Sequence, residues 1–128
     1  MRRFTIISAL IAVVAMFAAI APVASASGGG TTRSIALHGS VSFPSATGKA
    51  VYKVKEGERE LQIEVEHIRV LAGKKVNVFV NGNLLATPKV SSLGQIHVER
   101  RTNVPVISNG STVRVRTLGG TMIASGTF

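Results

Sequence analysis

Glu64 and Glu66 stand two residues apart in "ELQIEVEH", a spacing that puts both carboxylates on one face of a strand. Such a pair could serve a hydrolase as acid and base, or hold a calcium ion. The preceding "KAVYKVK" offers a simpler role. With residues 56–59 as a loop, Lys55 faces Glu60, Lys53 faces Gln62 and Lys49 faces Glu66. Opposite charges across a ladder each contribute a few tenths of a kcal/mol and fix register. The acids are therefore expected to align two strands and not to form a catalytic site.

The histidines His38, His67 and His97 fall in three separate segments. By alternation His38 and His97 point outward, while His67 shares the inward face of its strand. Zinc needs three or four convergent ligands, and this placement supplies at most the outward pair His97 and Glu99. With neither Asp nor Cys in the chain, the familiar nucleophile triads lack members. No G-x-S-x-G elbow or phosphate-binding glycine loop is present, so no enzyme activity, metal or small-molecule cofactor is expected. Arg100, Arg101, Arg114 and Arg116 remain. They lie on consecutive predicted strands, where they could form one positive patch that holds an anionic polymer with salt-sensitive affinity.

The elements that must position these groups come from period-two alternation between turn signals. Residues 1–26 read as a secretory signal peptide: Arg2 and Arg3, then an apolar run, then Ala24-Ser25-Ala26 before the cut. No cysteine follows the run, which excludes a lipid-anchored lipoprotein. Cleavage leaves 102 of the 128 residues, and no membrane span. Thirteen of the fifteen Lys and Arg lie beyond the leader, against six Glu, for a mature charge of about +7. Residues 27–33, "SGGGTTR", form a flexible lead-in, and residues 34–128 form one domain.

Eight strands are expected there. "SIALHGSVSF" turns Ile35, Leu37, Val41 and Phe43 inward. "KAVYKVK" does so with Ala50, Tyr52 and Val54, and "ELQIEVEH" with Leu61, Ile63 and Val65. "VNVFV" and "LLATPKV" flank the hairpin signal Asn81-Gly82. "QIHVER" and "TVRVRT" bury Ile96, Val98, Val113 and Val115, and Gly119-Gly120 leads into the last strand. Pro88 belongs on an edge strand or at a strand end. Short strands at roughly ten-residue spacing predict an antiparallel β-sandwich of immunoglobulin-like character. The strands are too short, and their outward faces too rich in Lys, Glu and Arg, for an outer-membrane barrel. Phe128 is expected to plug a core edge.

The segments "LHGS" (37–40), "GKAVYKV" (48–54), "LQIEVE" (61–66), "VFVNG" (78–82), "VP" (104–105) and "GGTMIASGTF" (119–128) carry a resemblance. The pattern resembles a small secreted bacterial β-sandwich module, and more loosely the CHRD-type domain of extracellular proteins. The resemblance covers nearly the whole mature chain but rests on turns and core positions, so it implies a fold and no catalytic residue. The expected function is a non-enzymatic, secreted or periplasmic module with an interaction or structural role at the cell envelope. Its partner is an unknown protein or an anionic envelope polymer.

Overall fold

The computed structural model describes residues 30–128. The expected signal peptide, and the lead-in up to residue 29, lie outside the described residues. Eight strands follow in chain order: β1 (Thr31–Gly39), β2 (Thr47–Lys55), β3 (Glu58–Glu66), β4 (Val76–Val80), β5 (Asn83–Ala86), β6 (Ile96–Arg100), β7 (Thr112–Thr117) and β8 (Met122–Thr127). A single 3-10 turn, Arg69–Leu71, interrupts the β3–β4 connection. The lead-in is shorter than expected, because Thr31, Thr32 and Arg33 pair with Val54, Lys53 and Tyr52 of β2.

The all-antiparallel class agrees with the alternation, but the eight strands make one continuous sheet where two facing sheets were expected. Its order is β5-β4-β7-β8-β1-β2-β3-β6, nearly closed into a barrel. The first and last of these eight strands are neighbours, with His38 opposite Ser125 and Gly39 opposite Ala124. Strands β1, β2 and β3 run nine residues each, long enough to curve around the core and serve both of its walls. Glycines mark the tightest approaches. A side chain at Gly48 would strike the Glu64 carbonyl of the adjacent strand, and one at Gly126 would sit 2.6 Å from the Ala36 carbonyl. Bare backbone at such points permits the bending that closure demands.

Alternation decides what fills the interior. Leu37, Ala50, Tyr52, Leu61, Ile63, Val65, Val76, Val78, Val80, Ile96, Val98, Val113 and Val115 are buried. Each fully buried Leu, Ile or Val side chain contributes about 1.5–3 kcal/mol relative to exposure. Aliphatic groups thus face inward and charged groups outward, the reverse of the pattern of a lipid-embedded barrel. Among the described residues no helix is long and apolar enough to cross a membrane.

Strand direction gives the barrel two distinct ends. At the upper end lie the connections β1–β2 (40–46), β3–β4 (67–75), β5–β6 (87–95) and β7–β8 (118–121). At the lower end lie the tight turns at 56–57 and 81–82, the long β6–β7 connection (101–111) and the last residue, Phe128. Ile68, Leu71 and Val90 from the upper connections are buried, as are Val104 and Ile107 from the β6–β7 connection. Phe128 packs half-buried against the core edge, as expected, with the Arg33 guanidinium 5.5 Å from its ring centre.

Two side chains depart from the expected faces. Val41 is exposed, because β1 ends at Gly39 and Ser40 turns the chain outward. The Ser40 hydroxyl donates to the Met122 carbonyl at 2.6 Å, and the Phe43 amide donates to the Ser40 carbonyl at 3.1 Å. His67 is also exposed: its φ of 66° rotates it out of the strand. Glu56 and Gly57 alone, with φ of 54° and 80°, make the β2–β3 turn. The lysine register therefore slips by two, so Lys55 faces Glu58, Lys53 faces Glu60 and Lys49 faces Glu64. A slip of two preserves every inward face, and the alternation of Lys against Glu survives.

Candidate functional site

The densest set of ionisable groups sits where β3 and β6 pair. Register sets Gln62 opposite Glu99 and Glu64 opposite His97, with their side chains on the outer face. His97 lies between two carboxylates, its Nδ1 3.1 Å from Glu64 and its Nε2 3.7 Å from Glu99. Just beyond the strand, Arg101 folds back, with Nε and Nη2 at 2.7 and 2.6 Å from one Glu99 oxygen. The same guanidinium is 3.5 Å from Glu60, which also accepts a hydrogen bond from Gln62 at 2.7 Å. The Arg101 hydrogen bond, above the other contacts, holds the Glu99 carboxyl below its ordinary range. In return Glu99 raises the Arg101 guanidinium.

Below this network a half-open cleft of about 710 Å³ lies between the β2–β3 turn and the start of the β6–β7 connection. Lys53, Lys55, Glu58, Arg59 and Arg101 line it with mixed charge. Arg59 anchors the floor by donating from Nε and Nη2 to the Val104 carbonyl at 3.1 and 3.0 Å. The arrangement can recognise a polar surface by charge.

The four arginines singled out in the sequence are placed in two groups. Arg114 and Arg116 are on β7, but Arg100 and Arg101 are at the end of β6, and β4 and β5 stand between them on the short way around. Although consecutive in sequence, β6 and β7 are not neighbours in this sheet. Arg100 donates to the Leu85 carbonyl across the seam between β6 and β5, and Arg101 is neutralised by Glu99 and Glu60. Arg116 donates to the Gly120 carbonyl at 3.1 Å, and Arg114 is exposed with half-buried Phe79 opposite it on β4. Among the described residues neither Arg114 nor Arg116 forms an ion pair with a carboxylate.

Glu64 and Glu66 share the outer face as expected, but they part company. Glu64 turns to His97, and Glu66 lies 3.8 Å from His67. The expected two-ligand pair of His97 and Glu99 acquires a third member that sequence reasoning missed, since only the β3–β6 register brings Glu64 to them. No group of three or more such side chains with metal-holding geometry occurs among the described residues.

The upper end presents a different surface, which includes the interleaved apolar and basic residues of "IRVLAGKK" at 68–75. Its connections expose Arg69, Lys74, Lys75 and Lys89, and contain no Asp or Glu. Comparison of the chain with protein-family models, with curated proteins and with solved structures gave no match.

Proposed function

We propose that the mature chain is an exported, non-enzymatic module that acts in the cell envelope by binding, its partner recognised at the barrel surface. The observation that carries this reading is the commitment of the outer-face carboxylates. Glu60, Glu64 and Glu99 are each engaged by Arg101, Gln62 or His97, which suits a fixed recognition surface better than proton transfer. An aliphatic interior and an outer face that carries the charge support the same reading. Export rests on the leader pattern of residues 1–26, and a secreted or periplasmic location follows from it.

The second reading, adhesion to an anionic polymer, draws its support from Arg114 and Arg116, whose charge no neighbouring carboxylate offsets. Arg100 and Arg101 add little to it, one spanning the seam and the other neutralised. The deciding experiment is capture of envelope components from the protein's own cells on the immobilised mature chain. Retention of a specific component, weakened by charge reversal at Glu60 and Glu64, is the expected result. Hydrolytic turnover by the chain that is abolished by Glu64→Gln would overturn the reading.

A further inference from the structure

Six large hydrophobic side chains are exposed among the described residues, and four of them crown the upper end. Each of the four upper connections contributes one: Val41 at 98% exposure, Val70 at 76%, Leu93 at 56% and Leu118 at 62%. These tips are not loose. Ile68 and Leu71, on either side of Val70, are buried. The Ile68 amide donates to the Gly94 carbonyl at 3.0 Å, tying the Val70 connection to that of Leu93. The Ser40 amide donates to the Ile123 carbonyl at 2.9 Å, tying the Val41 connection to the strand that follows Leu118. Rigid loops that bury some aliphatic side chains and hold others out in water leave apolar surface for something to cover.

Charge identifies what covers it. Arg69, Lys74, Lys75 and Lys89 stand exposed among the tips, and the four connections hold no acid. The carboxylate nearest to these connections along the chain, Glu66 at the end of β3, lies 3.8 Å from His67. A soluble polyanion would engage the cations but has no use for four aliphatic tips. The tips come from four separate connections around the rim, so a folded protein partner would have to match all four in shape. A bilayer surface is fluid and accepts separate apolar tips between headgroups, while anionic headgroups neutralise the ring of cations. We propose that the upper end of the barrel docks on an anionic phospholipid surface, with Val41, Val70, Leu93 and Leu118 entering the headgroup layer. This rests on reading the chain as an envelope-binding module and names the partner of one of its ends.

The test is co-sedimentation of the purified mature chain with vesicles of phosphatidylcholine containing about 30% phosphatidylglycerol, against vesicles of phosphatidylcholine alone. Binding only to the anionic vesicles is expected, and it should weaken as salt rises. Each basic residue near such a surface counts for about fivefold in partitioning. Lys74→Glu with Lys75→Glu should therefore reduce binding by more than about tenfold. Val70→Ser with Leu93→Ser should reduce it comparably, while Val106→Ser at the opposite end should bind like the parent chain. Val41→Ser keeps the test decisive should the double variants misfold, because this side chain has almost no packing to lose.

Absence of binding at low salt would overturn the proposal, as would an equal loss from Val106→Ser. Undiminished binding by Val41→Ser and by Val70→Ser with Leu93→Ser would reduce the contact to polyanion adhesion and overturn it too. A dimer of the chain dissolved by the same apolar substitutions, without vesicle binding, would assign the tips to a second copy instead. Failure on vesicles alongside specific capture of an envelope protein would remove the lipid partner and leave the binding-module reading standing.

Discussion

Arg101 and Glu99 are two residues apart, and the guanidinium that reaches back to its neighbour is the largest of the influences that lower the Glu99 pKa. A carboxyl whose folded pKa is depressed adds stability above its unfolded pKa, and that stability is lost as pH falls through the folded value. Arg101→Ala should move the Glu99 midpoint up toward the ordinary carboxylate range, read by NMR titration, and flatten the acid dependence of stability in that interval. The thermal midpoint at neutral pH should barely change, since exposed ion pairs are worth little. Glu56 offers a second residue-scale case. Its φ of 54° is a conformation that Asn tolerates and Glu does not favour. Glu56→Asn should stabilise the chain by about 0.5–1 kcal/mol in denaturant unfolding; a loss of stability would show that Glu56 makes a contact its exposed position does not reveal.

The same residue shows how far strands were legible before their pairing was seen. Inward faces followed from alternation alone, and Leu61, Ile63, Val65, Val113 and Val115 are buried as the pattern requires. The Asn81-Gly82 turn was equally plain, because both residues belong to the types that accept positive φ, and both adopt it, at 52° and 82°. Glu56-Gly57 carries no such signal, so the turn read as four residues and the register came out two positions away. Val41 and His67 were assigned by extending an alternation past the point where hydrogen bonds from Ser40, or a left-handed backbone, had already ended it. Gly48 tests the element scale directly. A methyl there meets the Glu64 carbonyl across the β2–β3 ladder, backbone against side chain, with no flexible atom to yield. Gly48→Ala should cost about 2 kcal/mol in denaturant unfolding, against a near-neutral Gly57→Asn in the open turn.

At the scale of the whole molecule, the alternation of inward and outward residues is the same for two stacked sheets and for one curled sheet. Strand order is what distinguishes them, and order depends on pairings such as His38 with Ser125, separated by most of the domain. For this reason the arginines of β6 and β7 looked adjacent in sequence and lie apart in space. The candidate recognition network was half legible: Glu99, Arg101 and His97 stood together in "IHVERR", but Glu64 and Glu60 joined them only through the β3–β6 ladder. The upper-end tips were the least legible, since nothing in a chain of short strands states that four connections meet at one rim.

No ladder joins β5 to β6, and the Arg100 side chain spans the interval to Leu85. A bare border strand ordinarily invites another chain to add itself, which is how fibrils seed. Here the two borders come within reach of one guanidinium. Arg100→Ala, which removes that grip on one peptide oxygen, should therefore leave both margins readier to recruit further chains, read by light scattering on incubation.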